Sequence, residues 1–168
     1  MSVASRILQE VADKVSTENF KKIEFLVNRA LSTIFTDLRL TFKIVTEVKR
    51  GNPVYQFEID KNGIPGTINS LGGGIVVVVA VVLKLLFNVI SNRFPLLVLD
   101  ETLSHLHSTS YVRNMSAFLR EVSKEFGIPI VMVSQEDGFS EFSDTCYLMQ
   151  IDAENSKLSR TSYEKSID

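Results

Sequence analysis

Ser70 to Ile90 read SLGGGIVVVVAVVLKLLFNVI, three glycines entering an apolar run that Lys84 and Asn88 interrupt. The run admits three readings: a membrane span, a buried strand or a buried helix. A span needs about 20 predominantly apolar residues, and Ile75 to Ile90 is shorter and carries Lys84 and Asn88. The β-branched Val76 to Val79 favour a strand, but the run is long for one, and Leu83, Leu85 and Leu86 favour helix. A helix apolar on nearly all sides is a buried helix. The expectation is a core helix opened by Gly72-Gly73-Gly74. Glycine lets other groups approach the backbone, and the unpaired N–H groups at a helix start carry the positive end of its dipole. Such an end can seat an anion, although a glycine turn ahead of a core helix is also ordinary.

FPLLVLDETLSHLH, Phe94 to His107, is an apolar strand ending in two adjacent carboxylates, Asp100 and Glu101. A buried parallel strand reads as a continuous apolar run, and ligands of open α/β sheets bind beyond the carboxyl ends of strands. In nucleotide hydrolases a carboxylate at that position holds magnesium, and its neighbour polarises the attacking water. The plain alternative is a strand closed by an acidic turn.

Outward from these two stretches, residues 3 to 35 read as helix. Val3, Ile7, Val11 and Val15 recur at spacing four, and Ile23, Val27, Ala30, Leu31, Ile34 and Phe35 continue the stripe. Thr17 and Asn19 leave room for a break. Residues 39–49 and 54–60 alternate as a hairpin with Gly51-Asn52-Pro53 as its turn. Lys61-Asn62-Gly63 is a second turn, and a short piece, 64–68, leads into the glycines. After the strand at 95–100 come a helix at about 110–126, a strand at 129–134 and an antiparallel pair at 145–151 and 156–163. Helix, antiparallel strands, then alternating helix and strand make an α/β fold with an antiparallel annex.

The chain has 168 residues, 45% hydrophobic and 23% charged, with net charge -2, enough for one domain with a core. That charge supplies no global field toward nucleic acid or anionic lipid. Lys43, Lys49 and Arg50 could touch DNA, but a solvated strand edge is the simpler reading. The single cysteine, Cys146, excludes a disulfide within the chain and suits a reducing cytoplasm; it reads as core. The first twenty residues carry charges throughout and lack the apolar region of a signal peptide. His105 and His107 are the only histidines, read as loop residues rather than metal ligands.

The order of the pieces resembles the C-terminal lobe of an ABC-type ATPase head of the SMC, SbcC and RecF kind. Ser70-Leu71-Gly72-Gly73-Gly74 stands at the signature, Asp100-Glu101 at the Walker B end, Ser104 to His107 at the D-loop and Val133-Ser134-Gln135 at the switch. The resemblance implies a lobe spanning 1–168. It divides into a helical arm (1–36), antiparallel strands (37–70) and a region of signature helix, Walker B, D-loop and switch (71–168), with a short, mainly parallel sheet and flanking helices. It implies that Asp100 binds magnesium, Glu101 positions water, Gln135 senses the γ-phosphate, and Ser70 to Gly74 contact an ATP held by another head. The departures are Gly72 for the signature serine, Ile75 for the acidic or amide residue after the glycines, Thr102 for a common proline, His107 for the D-loop aspartate and Gln135 for the switch histidine. Glutamine still hydrogen-bonds but cannot change charge near neutral pH.

No G-x-x-x-x-G-K-[ST] loop occurs in the sequence, so the phosphate cradle must come from elsewhere. The leading expectation is half of a DNA-repair or recombination ATPase head in the cytoplasm, with association to the nucleoid compatible with it. It would use ATP and magnesium only with a Walker-A-bearing partner lobe, form a dimer or hetero-oligomer, and reach DNA or a nuclease through that complex, with no membrane involved. A non-catalytic mimic that binds or blocks an SMC-like protein comes second, and an unrelated soluble α/β domain third.

Overall fold

The computed structural model describes residues 3–50, 52–91, 96–152 and 155–161, with the backbone alone for 3–17, 52, 69, 90, 91, 152 and 155. The first helix, α1 (Val3–Ile34), is unbroken through Thr17 and Asn19. A break does not form there because threonine and asparagine lower helix stability by only tenths of a kcal/mol, about 0.7 at most. Its apolar stripe buries Val27, Ala30, Leu31 and Ile34 completely.

Three antiparallel strands follow in the order β1 (Leu40–Lys49), β2 (Asn52–Lys61) and β3 (Ile64–Thr67). The first turn sits earlier than its composition indicates. Asn52 and Pro53 already pair with Lys49 and Val48, and Arg50 takes the left-handed conformation at φ 54°. Proline is tolerated at the beginning of a strand, so it marks β2's start. In the second turn Asn62 and Gly63 both have positive φ, 56° and 86°, the two-residue hairpin geometry that Asn-Gly favours.

The apolar run is helix α2 (Gly73–Ser91), followed by β4 (Leu97–Asp100), α3 (Thr109–Phe126) and β5 (Ile130–Val133). Strands β4 and β5 pair in parallel with α3 as the crossover. Gly127, at φ 65°, ends α3 by donating its N–H to the Ser123 carbonyl, the usual left-handed helix stop. The last pair, β6 (Cys146–Asp152) and β7 (Asn155–Thr161), forms a separate two-stranded sheet. Cys146 is only half-buried there, which corrects its reading as core: the hairpin is solvated. The expected stripe Val3 to Val15, the strand start at 95 and the strand end at 162 and 163 lie outside what is described. Among the described residues no helix is long and apolar enough to cross a membrane.

One core joins these pieces. Val78, Val79, Val81 and Leu85 of α2 belong to one buried cluster with Leu99 of β4, Met115 and Phe118 of α3, and Phe42 of β1. Polar clasps orient α1 on it. Asn28 grips the backbone of Phe42 from both sides, donating from Nδ2 to its carbonyl at 2.9 Å and accepting its N–H at 2.7 Å. Glu24 accepts the Ile44 N–H at 2.7 Å. The edge of β1 is thus satisfied by a helix where another strand would otherwise be needed. On the other side Arg29 bridges Glu121 and Glu125 of α3, and these partners, Glu125 foremost, raise its pKa. The Tyr111 hydroxyl donates to Asp37 at 2.7 Å.

Among the described residues, apolar surface stays open in three places. Strand β4 buries Leu97 and Leu99, but Val98 on its other face is 59% exposed, beside Val131 at 51% and Val133 at 53% on β5. A groove of about 510 Å³ lies between Ala80, Leu83, Lys84 and Phe87 of α2 and Leu96 and Leu97. On β6–β7, Tyr147, Met149 and Ile151 share one face with Leu158, and all four are exposed.

Asn28→Ala strips both partners from a half-buried strand edge and is expected to lower unfolding free energy by about 1–3 kcal/mol, read by urea denaturation. Arg29→Ala, which breaks an exposed ion pair, costs about 1 kcal/mol or less, and less still at high salt. Hydrogen bonding to Asp37, with some burial, raises the Tyr111 pKa. Its stabilisation is therefore complete below the ordinary tyrosine value of about 10 and lost as pH rises through the folded-state value. The stability difference between the native chain and Tyr111→Phe should shrink above about pH 10.

Candidate functional site

The parallel register opposes Asp100 to Val133, so the residues that follow each strand emerge together. Glu101 donates its N–H to the Val133 carbonyl at 3.0 Å. Its backbone is left-handed, φ 47°, a conformation that costs a non-glycine residue about 1 kcal/mol or more and clusters at functional sites. The Gln135 amide Nε2 donates to Glu101 Oε1 at 3.1 Å. The Ser134 hydroxyl accepts the Glu136 N–H at 3.1 Å, and Thr102 Oγ1 donates to the Asp100 carbonyl at 3.2 Å. Asp100 itself is exposed at the strand end. Asp100, Glu101 and Gln135 are therefore adjacent, with Thr102 and Ser134 clipping the two loops.

The glycines meet a different neighbour. Gly72 precedes α2, and its carbonyl accepts the N–H groups of Ile75 at 3.1 Å and Val76 at 3.4 Å. A Cβ on Gly74 would lie 3.2 Å from the His105 carbonyl oxygen and 3.3 Å from Leu106 Cδ2, whereas one on Gly72 would meet nothing within 4 Å. The loop after β4 thus rests on the first turn of α2, and Gly74 is needed for that approach. His105 and Leu106 carry this contact, which nothing in the local sequence signals. Ser70 donates its hydroxyl to the Thr67 carbonyl at 2.7 Å, half-buried Leu71 packs against the core, and Ile75 is buried in it. The His105 and His107 rings lie edge to face, 6.5 Å apart. Among the described residues no group of three or more His, Cys, Asp or Glu could hold a metal. Lys43, Lys49 and Arg50 are exposed, and Lys49 pairs with Glu47 at 2.9 Å.

Solved structures share this arrangement over nearly its whole length. An SMC ATPase characterised by ATP-driven dimerization and DNA-stimulated activation superposes with TM-score 0.70 at 17% identity, covering 90% of this chain and 91% of that one. The chain has the fold of one lobe of an SMC ATPase head. The Smc head of Pyrococcus yayanosii, with its coiled coil and joint, gives TM-score 0.75 at 15% identity, covering 95% of this chain and 30% of that one. An Smc head bound to the C-terminal winged-helix domain of ScpA gives 0.68 at 16% identity, covering 91% and 46%. The chain thus spans less than half of those two proteins. The sequence matches no protein-family model and no curated protein.

The fold is the one that the order of the motifs implies. Its strand-end carboxylates also fit a magnesium ion by donor chemistry. Mg²⁺ takes hard oxygen ligands and is usually held by one or two carboxylates together with substrate phosphates, and Asp100 offers an exposed carboxylate.

Glycine substitutions separate packing from ligand contact. Gly73→Ala meets only ordinary van der Waals distances, 3.7 Å to His105, and should gain up to about 1 kcal/mol from helix propensity. Gly74→Ala should lose that gain and fall below the native chain by about 1 kcal/mol, because the His105 backbone must shift. Gly72→Ser should be accepted and add a few tenths of a kcal/mol, roughly the difference between serine and glycine as N-caps. Thermal unfolding of the three variants measures each.

Proposed function

We propose that the chain is one lobe of an SMC-like ATPase head, supplying the Walker B carboxylates, the switch and the signature helix to a lobe that carries the Walker A loop, on a separate chain or on the same polypeptide. The observation that carries this reading is the bare outer face of β4–β5. Parallel sheets occur almost only with both faces covered, and two strands alone are marginal. Here α3 crosses over one face, while Val98, Val131 and Val133 stand open on the other. A second layer and further strands complete such a sheet, and a Walker A lobe provides both.

In the completed head Asp100 would hold magnesium, which supplies charge neutralisation at the transferred phosphoryl group. Glu101, tied through its N–H to Val133, would orient the attacking water and accept its proton. The Gly72 end of α2 faces outward with open space around its Cα, where the backbone of a helix start can approach the nucleotide of a second head. The setting we propose is DNA repair or recombination in the cytoplasm, with dimerization of heads and contact with DNA or a nuclease made through the assembly.

A second reading, a non-catalytic lobe that occupies or blocks an SMC-like protein, is favoured by Ile75. The residue in the place of an acidic or amide group is part of the core, and Gly72 lacks the signature hydroxyl.

Mixing the chain with a Walker-A-bearing head lobe is expected to produce ATP turnover that neither has alone. Glu101→Gln should reduce kcat by roughly 10²–10⁴-fold, the range for loss of a general base. Turnover unchanged by Glu101→Gln rejects the split-enzyme reading. Suppression of an intact SMC-like ATPase by the chain supports the mimic instead.

A further inference from the structure

We infer that Gln135 is a positioning residue for Glu101, an assignment that rests on the ATPase-head reading for its chemistry. Two bonds tie the ends of β4 and β5. The Glu101 N–H reaches the Val133 carbonyl at 3.0 Å, and the Gln135 amide reaches Glu101 Oε1 at 3.1 Å. The first holds the main chain of Glu101 in its left-handed turn, φ 47°. The second fixes the side chain by occupying one carboxylate oxygen. An ionised carboxylate has two acceptor oxygens and no donor, so the oxygen left free is the one that can take a proton from water. The loop that carries Gln135 is itself clipped by the Ser134 hydroxyl on the Glu136 N–H, 3.1 Å, which keeps the amide within reach. The same nitrogen carries a second N–H, so the kinetic split below separates positioning of Glu101 from a phosphate contact.

The pair can be read in the chain by itself. In an ¹⁵N-labelled sample the Gln135 side-chain amide should resonate away from a solvated glutamine amide and return to that position in Glu101→Ala, with the backbone resonances of α3 unmoved as the control for folding. A Gln135 amide at the solvated position, or one indifferent to Glu101→Ala, overturns the inference whatever the ATPase experiment gives. In the complex with a Walker-A-bearing lobe, Gln135→Ala should lower kcat by roughly 10²-fold, the cost of a misplaced catalytic group, and leave KM for ATP unchanged. A rise in KM at constant kcat identifies a phosphate contact and overturns the positioning role. If no such lobe yields turnover, the ATPase reading fails by itself, and the amide resonances still decide whether Gln135 holds Glu101.

Discussion

Parallel pairing of two short strands is the constraint on which the arrangement depends. Parallel strands finish at the same end of their sheet, so the loops after β4 and β5 must emerge side by side. With Asp100 opposite Val133, two segments far apart in the chain deliver Asp100, Glu101 and Gln135 to one place. A parallel pair needs a long crossover, and α3 supplies it. The core beneath, filled by α2 and the second half of α1, holds the pair flat on one side only. The antiparallel sheet needs no such help at β1, because Asn28 and Glu24 take the place of a neighbouring strand.

The site is uneven in how well it fits ATPase chemistry. The strand end has its two carboxylates, a strained Glu101 and a partner for its side chain. The signature end has glycines whose tightest requirement, at Gly74, is set by the backbone of His105. Its next residue, Ile75, belongs to the interior. One half of the site therefore looks built for a ligand, and the other is explained to a large extent by packing. The same contact joins them: the loop that leaves Glu101 is the loop that lies on α2, so a displacement of the helix start reaches the carboxylate through four residues of backbone.

The sequence shows whatever local periodicity dictates. Leu83, Leu85 and Leu86 are enough to make the apolar run a helix, and the alternation in β1 and β2 is enough to make a hairpin. Asn62-Gly63 announces its turn because those residues accept positive φ cheaply. Arg50 does not, and so β2 is read as starting two residues late, at Val54 in place of Asn52. Cys146 and its neighbours have the apolar character of an interior strand. Their exposure is decided by what lies, or does not lie, across from them, and no local pattern holds that information. The adjacency of Glu101 and Gln135, and the need for glycine at position 74, likewise exist only once the chain has closed on itself. The motif order puts these residues just past the ends of two strands; it does not show that Gln135 bonds to Glu101.

The exposed face of Tyr147, Met149, Ile151 and Leu158 has a cellular consequence. Contiguous apolar surface of this kind is what chaperones hold and proteases sample in unassembled proteins. A chain that keeps such a face open is stable in a cell only in proportion to whatever covers it. Whatever surface covers that face removes the apolar area by which the folded chain can be recognised as unassembled.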